Sequence, residues 1–393
     1  MPKPCCTKGL EEDDWDWLQT EPKTDDQKDK ADARPVETFE NSVNGEEFQK
    51  LCNEVAANLE GFRNLPERQE QQSNLKNALE FICKQNKAFN DGKSLFFCGP
   101  THLSVLGKHR RISGLIDNRE PSDIPCFGGS ASVPIQENPE MYASNLLDKL
   151  KKTGGPPEEF HTPKKFLTGV RNHLDCNCCT VFATVAAIET AFLMNNPKLD
   201  NSLDLAEQTL LNCESGYMGE KGCDGAPDLR TYLKYTIEHL DGQLPEEATD
   251  PYKAEKFAGH MSENNQGLEK FDSGVKVTDL VYLEDVPDET LKALLLKHGA
   301  VVVAISPDSE TDKTLRNYKG GIIDIKSKNS TERKHAVTLV GYGIQGETPY
   351  WKLKNSWGTD WGEEGFMRVK QGKEYSIITK YAMVPIVQKD KKN

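Results

Sequence analysis

The chain has 393 residues, enough to bury a full hydrophobic core and to form more than one folded unit. Its net charge of −13 and mean hydropathy of −0.66 argue against a nucleic-acid-binding protein. The sequence contains no run of about 18 apolar residues, so it predicts no membrane span.

The N-terminal 45 residues form the first distinct segment. Residues 1–45 combine acidic residues with lysine, proline and few apolar side chains. Such a composition cannot bury enough apolar surface to offset chain entropy, so it predicts a disordered acidic segment. The stretch also lacks the apolar core of a secretory signal. This predicts a cytoplasmic protein, unconventional export, or a chain whose true start lies upstream.

Residues 46–108 have the pattern of a small, mainly helical module. One predicted helix carries its apolar side chains on a single face, at Phe48, Leu51, Cys52, Val55 and Leu59. A second predicted helix ends at the turn formed by residues 90–92, and a short strand is predicted at residues 94–97. The following residues, 109–160, are rich in Gly, Pro, Ser and Asn, which predicts a linker with one short amphipathic piece at 141–151.

From residue 161 to 393 the predicted order is helices first and strands second. Helices are predicted at 204–212, at 229–238 and in an apolar run that begins near Cys179. Strands are predicted at 275–283, at 300–306 and in the segments HAVTLVGYG, YWKLKNSW and GFMRVKQG. This order predicts an α+β domain whose helical and β-rich halves could face each other across a cleft.

Cys176, Cys178 and Cys179 cluster immediately before the apolar helix. A thiol at a helix N-terminus has a lowered pKa, because the free N–H groups and the helix dipole favour an anion. The cluster could instead pack in a core or bind zinc together with His173, although the spacing C-x-C-C is tighter than in common tetrahedral zinc sites. The eleven cysteines all lie at or before Cys223, and an odd number cannot be fully paired within one chain.

A cysteine nucleophile needs a base to take its proton, and the base needs a group that orients it. His335 opens a predicted strand, and Asn355 lies at the end of another. These two residues are therefore the candidates for base and orienting group.

Several ordered motifs resemble the papain-like cysteine peptidases, the family that includes the cathepsins. Cys179 before an apolar helix, HAVTLVGYG about 150 residues later and KNSWGTDWGEEGF after it match the family's spacing. VRNHLDCNCC, LAEQTLLNC and GCDGA resemble further family motifs in the same order, and the resemblance covers roughly residues 162–386. It implies a peptidase domain at 161–393 with a helical subdomain, a β-barrel-like subdomain and a cleft between them.

The resemblance implies a role for each matched residue. Cys179 would be the nucleophile, His335 the base and later the acid, and Asn355 the orienting group. Trp357 would shield the contact between Asn355 and His335 from solvent. The family's disulfide pairing implies a bond between Cys176 and Cys223, and the implied activity is that of an endopeptidase that needs no cofactor.

The chain departs from the family pattern in its substrate-binding residues. His173 stands where the family has the glutamine of its oxyanion hole; loss of such a donor costs about 2.7–4 kcal/mol of transition-state stabilisation. The implied substrate pocket contains Gly225, Ala226, Arg333 and Lys334. The two cations in it predict a preference for acidic or polar substrate side chains.

Residues 46–108 resemble the family's inhibitory propeptide. The helical spacing of the propeptide signature is kept at Glu67, Gln71, Leu75, Ala78, Ile82 and Asn86. GKSLFFCGPTHLSVL resembles a second propeptide segment, with substitutions at Thr101, Leu103 and Val105. The resemblance therefore implies a zymogen activated by cleavage in 109–160, whose partners are its own propeptide, protein or peptide substrates and cystatin-like inhibitors. It also implies a lysosomal or extracellular location, with the cytoplasm as the alternative.

Two functions stay open at this point. The first is an active, propeptide-regulated peptidase. The second is a catalytically impaired relative that acts as a binding or inhibitory protein. The second is motivated by the substitutions around the nucleophile, which lie at His173, Asn177, Cys178 and Thr180.

Overall fold

The computed structural model describes residues 46–63, 65–107, 115, 138–212, 222–256, 273–325, 334–372 and 378–388. All of these belong to one compact unit, residues 36–393. The acidic segment predicted at 1–45 and the first part of the predicted linker, apart from Leu115, lie outside the described residues. Within the described part of the chain, no helix is long and apolar enough to cross a membrane.

The N-terminal module contains four elements: α1 (Glu46–Ala57), α2 (Arg68–Asn90), β1 (Phe96–Cys98) and α3 (His102–Val105). The apolar positions of α2 that recur at helical spacing, Leu75, Ala78, Leu79 and Ile82, are all buried. Asn86 is buried with them, and its amide joins the helix to the strand. Its nitrogen donates to the carbonyl of Cys98 at 2.9 Å, and its oxygen accepts from the Cys98 N–H at 2.8 Å.

The module docks on the rest of the chain through backbone pairing. β1 is antiparallel to β5 (Tyr318–Ile323), with Phe96 opposite Gly321. Gly321 has a φ of +89°, and a Cβ there would lie 2.2 Å from the carbonyl oxygen of Leu95, so the close approach requires glycine. The hydroxyl of Thr101 also donates to the carbonyl of Arg316 at 2.6 Å, in α9 (Ser309–Asn317). The module thus supplies an edge strand of the main sheet.

The end of the predicted linker is folded onto the C-terminal part of the chain. Helix α4 (Pro139–Lys152) begins after Asn138, whose side chain accepts from the N–H of Met141 at 2.8 Å. It packs on α8 (Asp288–His298), where the hydroxyl of Tyr142 lies 2.9 Å from Nε2 of His298. Burial lowers the pKa of His298 to about 3, so its ring is neutral and can accept a hydrogen bond from this hydroxyl.

The helical half is built around α5 (Cys179–Asn195), with α6 (Glu207–Leu211) and α7 (Thr231–His239) beside it. Almost every residue of α5 is buried, because small and apolar side chains occupy all of its faces. α5 also packs against strands β6 (His335–Gln345) and β9 (Tyr381–Val387) of the other half. One helix therefore joins the two halves, and its first residue is Cys179.

The remaining strands belong to the same sheet as β1. They are β2 (Phe160–His161), β3 (Val277–Glu284), β4 (Val301–Ile305), β7 (Thr348–Lys354) and β8 (Phe366–Lys370). The strand order is β1-β5-β8-β7-β6-β4-β9-β3, with β2 paired to β6. The described pairs are antiparallel except β5 with β8, and the sheet is open at β1 and β3. This arrangement confirms the predicted α+β class.

Candidate active site

The thiol of Cys179 lies at the start of α5, where the helix meets β6. The side chain is fully buried, and the backbone N–H of Ala336 donates to its sulfur at 3.4 Å. Ala336 directly follows His335, so the topology brings the thiol to the strand that begins with the candidate base. The position at the first helical residue also exposes the sulfur to the positive end of the helix dipole.

His335 is held by its two predicted partners. Its Nε2 lies 2.7 Å from Oδ1 of Asn355, and an amide oxygen can only accept, so Nε2 carries the proton. Nδ1 of the neutral ring then has a lone pair, and it has no hydrogen-bond partner among the described residues. The indole of Trp357 stacks on the imidazole with centroids 4.7 Å apart. This arrangement leaves one ring nitrogen of a buried histidine ready to accept a proton.

His173 is a second buried imidazole beside the first. The two ring centroids are 6.2 Å apart. The indole nitrogen of Trp357 donates to Nε2 of His173 at 3.1 Å, and Nδ1 lies 3.3 Å from the carbonyl oxygen of Leu174. Burial, and secondly the proximity of His335, lower the pKa of His173 to about 3. The ring is therefore neutral at physiological pH.

The other cysteines of the cluster have separate roles. A disulfide joins Cys176 to Cys223, 47 residues along the chain, and the N–H of Asn177 donates to the carbonyl of Cys223 at 3.0 Å. The bond anchors the segment before the thiol to the glycine-rich loop. Cys178 is buried with its sulfur 3.2 Å from the hydroxyl of Tyr252, and burial raises its pKa. Cys178 is thus a protonated thiol that does not compete as a nucleophile.

The zinc alternative loses one of its ligands in this structure. Cys176 is oxidised in the disulfide and has no thiolate to offer a metal. In the described ranges, no group of three or more His, Cys, Asp or Glu side chains could hold a metal ion.

A residue from the predicted activation region lies in the implied substrate pocket. Leu115 exchanges two backbone hydrogen bonds with Lys334, at 2.9 and 2.8 Å, and forms a β-bridge with Ala226, next to Gly225. Its side chain is 2% exposed and packs in the same apolar cluster as Cys179. Leu115 therefore covers residues that the resemblance implies as a substrate pocket.

The cationic side of this pocket is only partly described. The ammonium group of Lys334 lies 4.9 Å from the ring centroid of Tyr381, and burial lowers the pKa of Lys334 to about 8. Arg333 lies outside the described residues. The preference for acidic or polar substrate side chains stays a prediction.

Known proteins of one family resemble this chain over more than half of its length. The pattern of the papain family cysteine proteases matches residues 156–386. The viral cathepsin of Cydia pomonella granulosis virus is 31% identical over 322 residues, which cover 80% of this chain and 84% of that protein. The chain belongs to the papain family of cysteine proteases.

Solved precursor structures of the papain family share the fold. The digestive procathepsin L 3 of Tenebrio molitor larval midgut has a TM-score of 0.64 at 22% identity, covering 87% of this chain and 99% of its own. A recombinant stem bromelain precursor has a TM-score of 0.63 at 20% identity, covering 86% and 99%. The predicted family, the papain-like fold and the N-terminal propeptide are confirmed.

A cluster of charged side chains that the motifs do not reveal lies behind the papain-family site. The guanidinium of Arg171 contacts three carboxylates, those of Asp204 at 2.9 Å, Glu207 at 3.3 Å and Glu247 at 2.5 Å. Glu207 is 3% exposed, and its burial raises its pKa to about 8 despite the attraction of Arg171. One cation shared by three acids leaves the buried carboxylate under-compensated. The spacing of these acidic residues in the sequence did not predict that they share one arginine.

We expect replacement of Glu207 by glutamine to stabilise the protein at high pH. The pKa of Glu207 is above its ordinary value near 4.5, so the folded state binds this proton more tightly than the unfolded state. Stability from this group is complete below about pH 4.5 and is lost as pH rises through about 8. At pH 8 the variant should unfold with a free energy roughly 1–3 kcal/mol higher than the parent, and the two should converge near pH 4.5.

Urea unfolding of the full chain at several pH values measures this difference, with Cys179 replaced by alanine in all proteins to prevent self-digestion. Replacement of the exposed Glu246 by glutamine is the matched control and should change the free energy of unfolding by less than about 0.5 kcal/mol at every pH. A Glu207 variant that is less stable than the parent at pH 8 would contradict the expectation.

Proposed function

We propose that this chain is the zymogen of a cysteine-type endopeptidase that hydrolyses peptide bonds through Cys179, His335 and Asn355. The observation that carries the proposal is the state of His335. Oδ1 of Asn355 lies 2.7 Å from Nε2 of His335 and fixes the ring proton there, which leaves the lone pair of Nδ1 unused. The next residue, Ala336, donates its N–H to the sulfur of Cys179 at 3.4 Å. A thiol at a helix N-terminus next to a base with a vacant lone pair is the arrangement that nucleophilic catalysis needs.

The proposed chemistry uses this pair twice. The thiol proton of Cys179 moves to Nδ1 of His335, and the thiolate forms a bond to the substrate carbonyl carbon. The tetrahedral intermediate breaks its C–N bond, and the imidazolium gives its proton to the leaving amine. Water then loses a proton to His335 and attacks the thioester, which releases the acid and regenerates the thiol. Asn355 keeps the ring oriented throughout, and Trp357 shields their hydrogen bond.

The propeptide keeps the proposed enzyme inactive by covering the cleft. Its strand β1 extends the peptidase sheet, and Leu115 fills the implied pocket beside Lys334 and Ala226. Substrate peptides need this pocket, so the proposed activation step removes Leu115. After release, the same surface would accept protein or peptide substrates, and the proposal includes inhibition by cystatin-like proteins. The Cys176–Cys223 disulfide supports a lysosomal or extracellular location over the cytoplasmic alternative.

The proposal is tested by releasing the propeptide from the full chain and titrating with an epoxide that alkylates peptidase thiols. We expect one modified thiol per molecule, hydrolysis of a broad-specificity peptide substrate, and loss of both in Cys179→Ala. Cys178→Ala is the matched control because it removes a buried neighbouring thiol, and it should retain labelling and hydrolysis. A released protein in which Cys179 is not labelled and no peptide is hydrolysed would overturn the proposal.

The second candidate is a catalytically impaired relative that binds peptides or inhibits other proteins. The hydrogen bonds of His173 favour it, because both ring nitrogens already have partners. Peptide binding to the released protein without hydrolysis, unchanged in Cys179→Ala, would select this candidate.

A further inference from the structure

The protonation state of His173 follows from its contact with Trp357. An indole N–H can only donate a hydrogen bond, so Nε2 of His173, 3.1 Å away, must accept it. The single proton of the neutral ring is therefore on Nδ1. Nδ1 in turn donates to the carbonyl oxygen of Leu174 at 3.3 Å. Both ring nitrogens are engaged within the protein.

The backbone around His173 fixes the ring in this arrangement. Its N–H donates to the carbonyl of Ser356 at 3.1 Å, and its carbonyl accepts from the hydroxyl of Tyr252 at 2.8 Å. Leu174 follows with a φ of 54°, in the left-handed region, and the ring of Phe182 contacts the imidazole from α5. Rotating the imidazole would break the hydrogen bonds of its ring to Trp357 and Leu174 inside a site where His173 is 3% exposed.

Attack of the Cys179 thiolate on a peptide carbonyl places negative charge on the carbonyl oxygen. Preorganised N–H donors lower the barrier to this step, and each is worth about 10²–10³-fold in rate. The first N–H groups of α5 have no acceptor within the helix and point to the same end as the thiol. His173 stands where the family has its side-chain donor. Its one N–H already donates to the carbonyl oxygen of Leu174.

We propose that Trp357 holds His173 as a hydrogen-bond acceptor, so that His173 donates nothing to the oxyanion and the N-terminus of α5 stabilises it alone. This inference rests on the proposed peptidase function for its kinetic consequence. It makes the reactivity of the thiol and the rate of peptide hydrolysis two separable quantities, because only hydrolysis depends on donors to the oxyanion.

Glutamine is the substitution that distinguishes these quantities. Its carbonyl oxygen could accept from Trp357, and its amide nitrogen would still have two N–H groups for the oxyanion. We expect His173→Gln to raise kcat/KM for a peptide substrate by about 10²–10³-fold. Asn is the matched control, since it carries the same amide on a shorter side chain, and His173→Asn should gain less than about tenfold.

Alkylation of the released enzyme by iodoacetamide reports the nucleophile alone, because the thiolate displaces iodide and no oxyanion forms. This rate should change by less than about threefold in His173→Gln. A Gln variant that is alkylated like the parent but hydrolyses peptide no faster would overturn the inference. Failure of the parent thiol to react would instead count against the proposed function.

The state of the ring can be measured without any activity. In ¹⁵N NMR spectra of the histidine-labelled full chain, the His173 signal is assigned by its loss in His173→Gln. We expect a proton on Nδ1, none on Nε2, and no titration between pH 5 and 8 because of the lowered pKa of His173. A proton on Nε2, or a ring that becomes charged in this range, would overturn the inference.

Discussion

Replacement of His335 by glutamine is expected to lower kcat/KM for peptide hydrolysis by about 10⁴-fold or more. The variant keeps a polar, hydrogen-bonding side chain beside Asn355 but cannot take the proton of Cys179 or return it to the leaving amine. It also removes the base that would accept the thiol proton, so alkylation of the thiol should require a higher pH than in the parent. Kinetics of the released enzyme and the pH dependence of iodoacetamide alkylation measure the two effects.

Asn355→Ala is the comparison that separates the base from its orientation. His335 would keep its proton-accepting chemistry but lose the 2.7 Å hydrogen bond that fixes its tautomer. We expect a loss of about 10–10²-fold, because a misoriented catalytic group still functions part of the time. Equal losses in the two variants would contradict this division of roles. Full activity in His335→Gln would contradict the role of His335 as the base.

The helices and strands that carry the site were largely predictable from the sequence. The apolar spacing of α2 and the uninterrupted apolar runs of α5 and β4 each predicted their element, because burial alone decides their structure. Helix α9 and strand β9 are among the elements that were missed. α9 is mostly polar and begins at the Asp308 cap, so apolar periodicity could not show it. β9 contains Pro385, opposite Leu280, and proline lowers strand propensity.

The sequence made Cys179, His335 and Asn355 candidates and the resemblance gave each a role, but periodicity does not say which strand lies beside which helix. The separation of Cys179 and His335 along the chain does not predict that β6 packs against α5. The hydrogen bond between Trp357 and His173 spans 184 residues and depends on the side-chain packing of both halves. The sequence showed that His173 replaces the family's glutamine. Whether His173 can still donate to an oxyanion depends on the position of the Trp357 indole, which the sequence does not give.

A buried hydrogen-bonded relay near the site was also not predictable from the sequence, and we expect a large loss of stability when it is broken. Lys354 is the residue before Asn355, and its ammonium donates to the carbonyl and hydroxyl oxygens of Thr168 at 2.9 and 3.1 Å. The hydroxyl of Thr168 donates in turn to Glu189 of α5. The second oxygen of Glu189 accepts from the N–H of Leu205 at 2.8 Å. The relay joins α5, which begins with Cys179, to the end of β7, directly before Asn355.

Replacement of Lys354 by methionine is expected to lower the free energy of unfolding by about 3–5 kcal/mol. The side chains of Lys354 and Glu189 are 5% and 4% exposed, and burial lowers the pKa of the lysine and raises that of the acid. Removing the cation leaves a buried carboxylate without its compensating charge, which costs more than the pair contributed. Urea unfolding of the full chain in the Cys179→Ala background measures the loss.

The double variant Lys354→Met, Glu189→Gln tests whether charge is the cause. Neutralising the acid should recover at least about 2 kcal/mol of the loss, because the uncompensated charge is removed and Gln can still accept from Leu205. Lys352→Met, on the same strand but half-exposed, is the matched control and should cost less than about 1 kcal/mol. If the double variant is as unstable as Lys354→Met, lost packing is the cause. In that case the relay side chains hold α5 and β7 together by van der Waals packing. The position of Asn355 relative to Cys179 then depends on that packing.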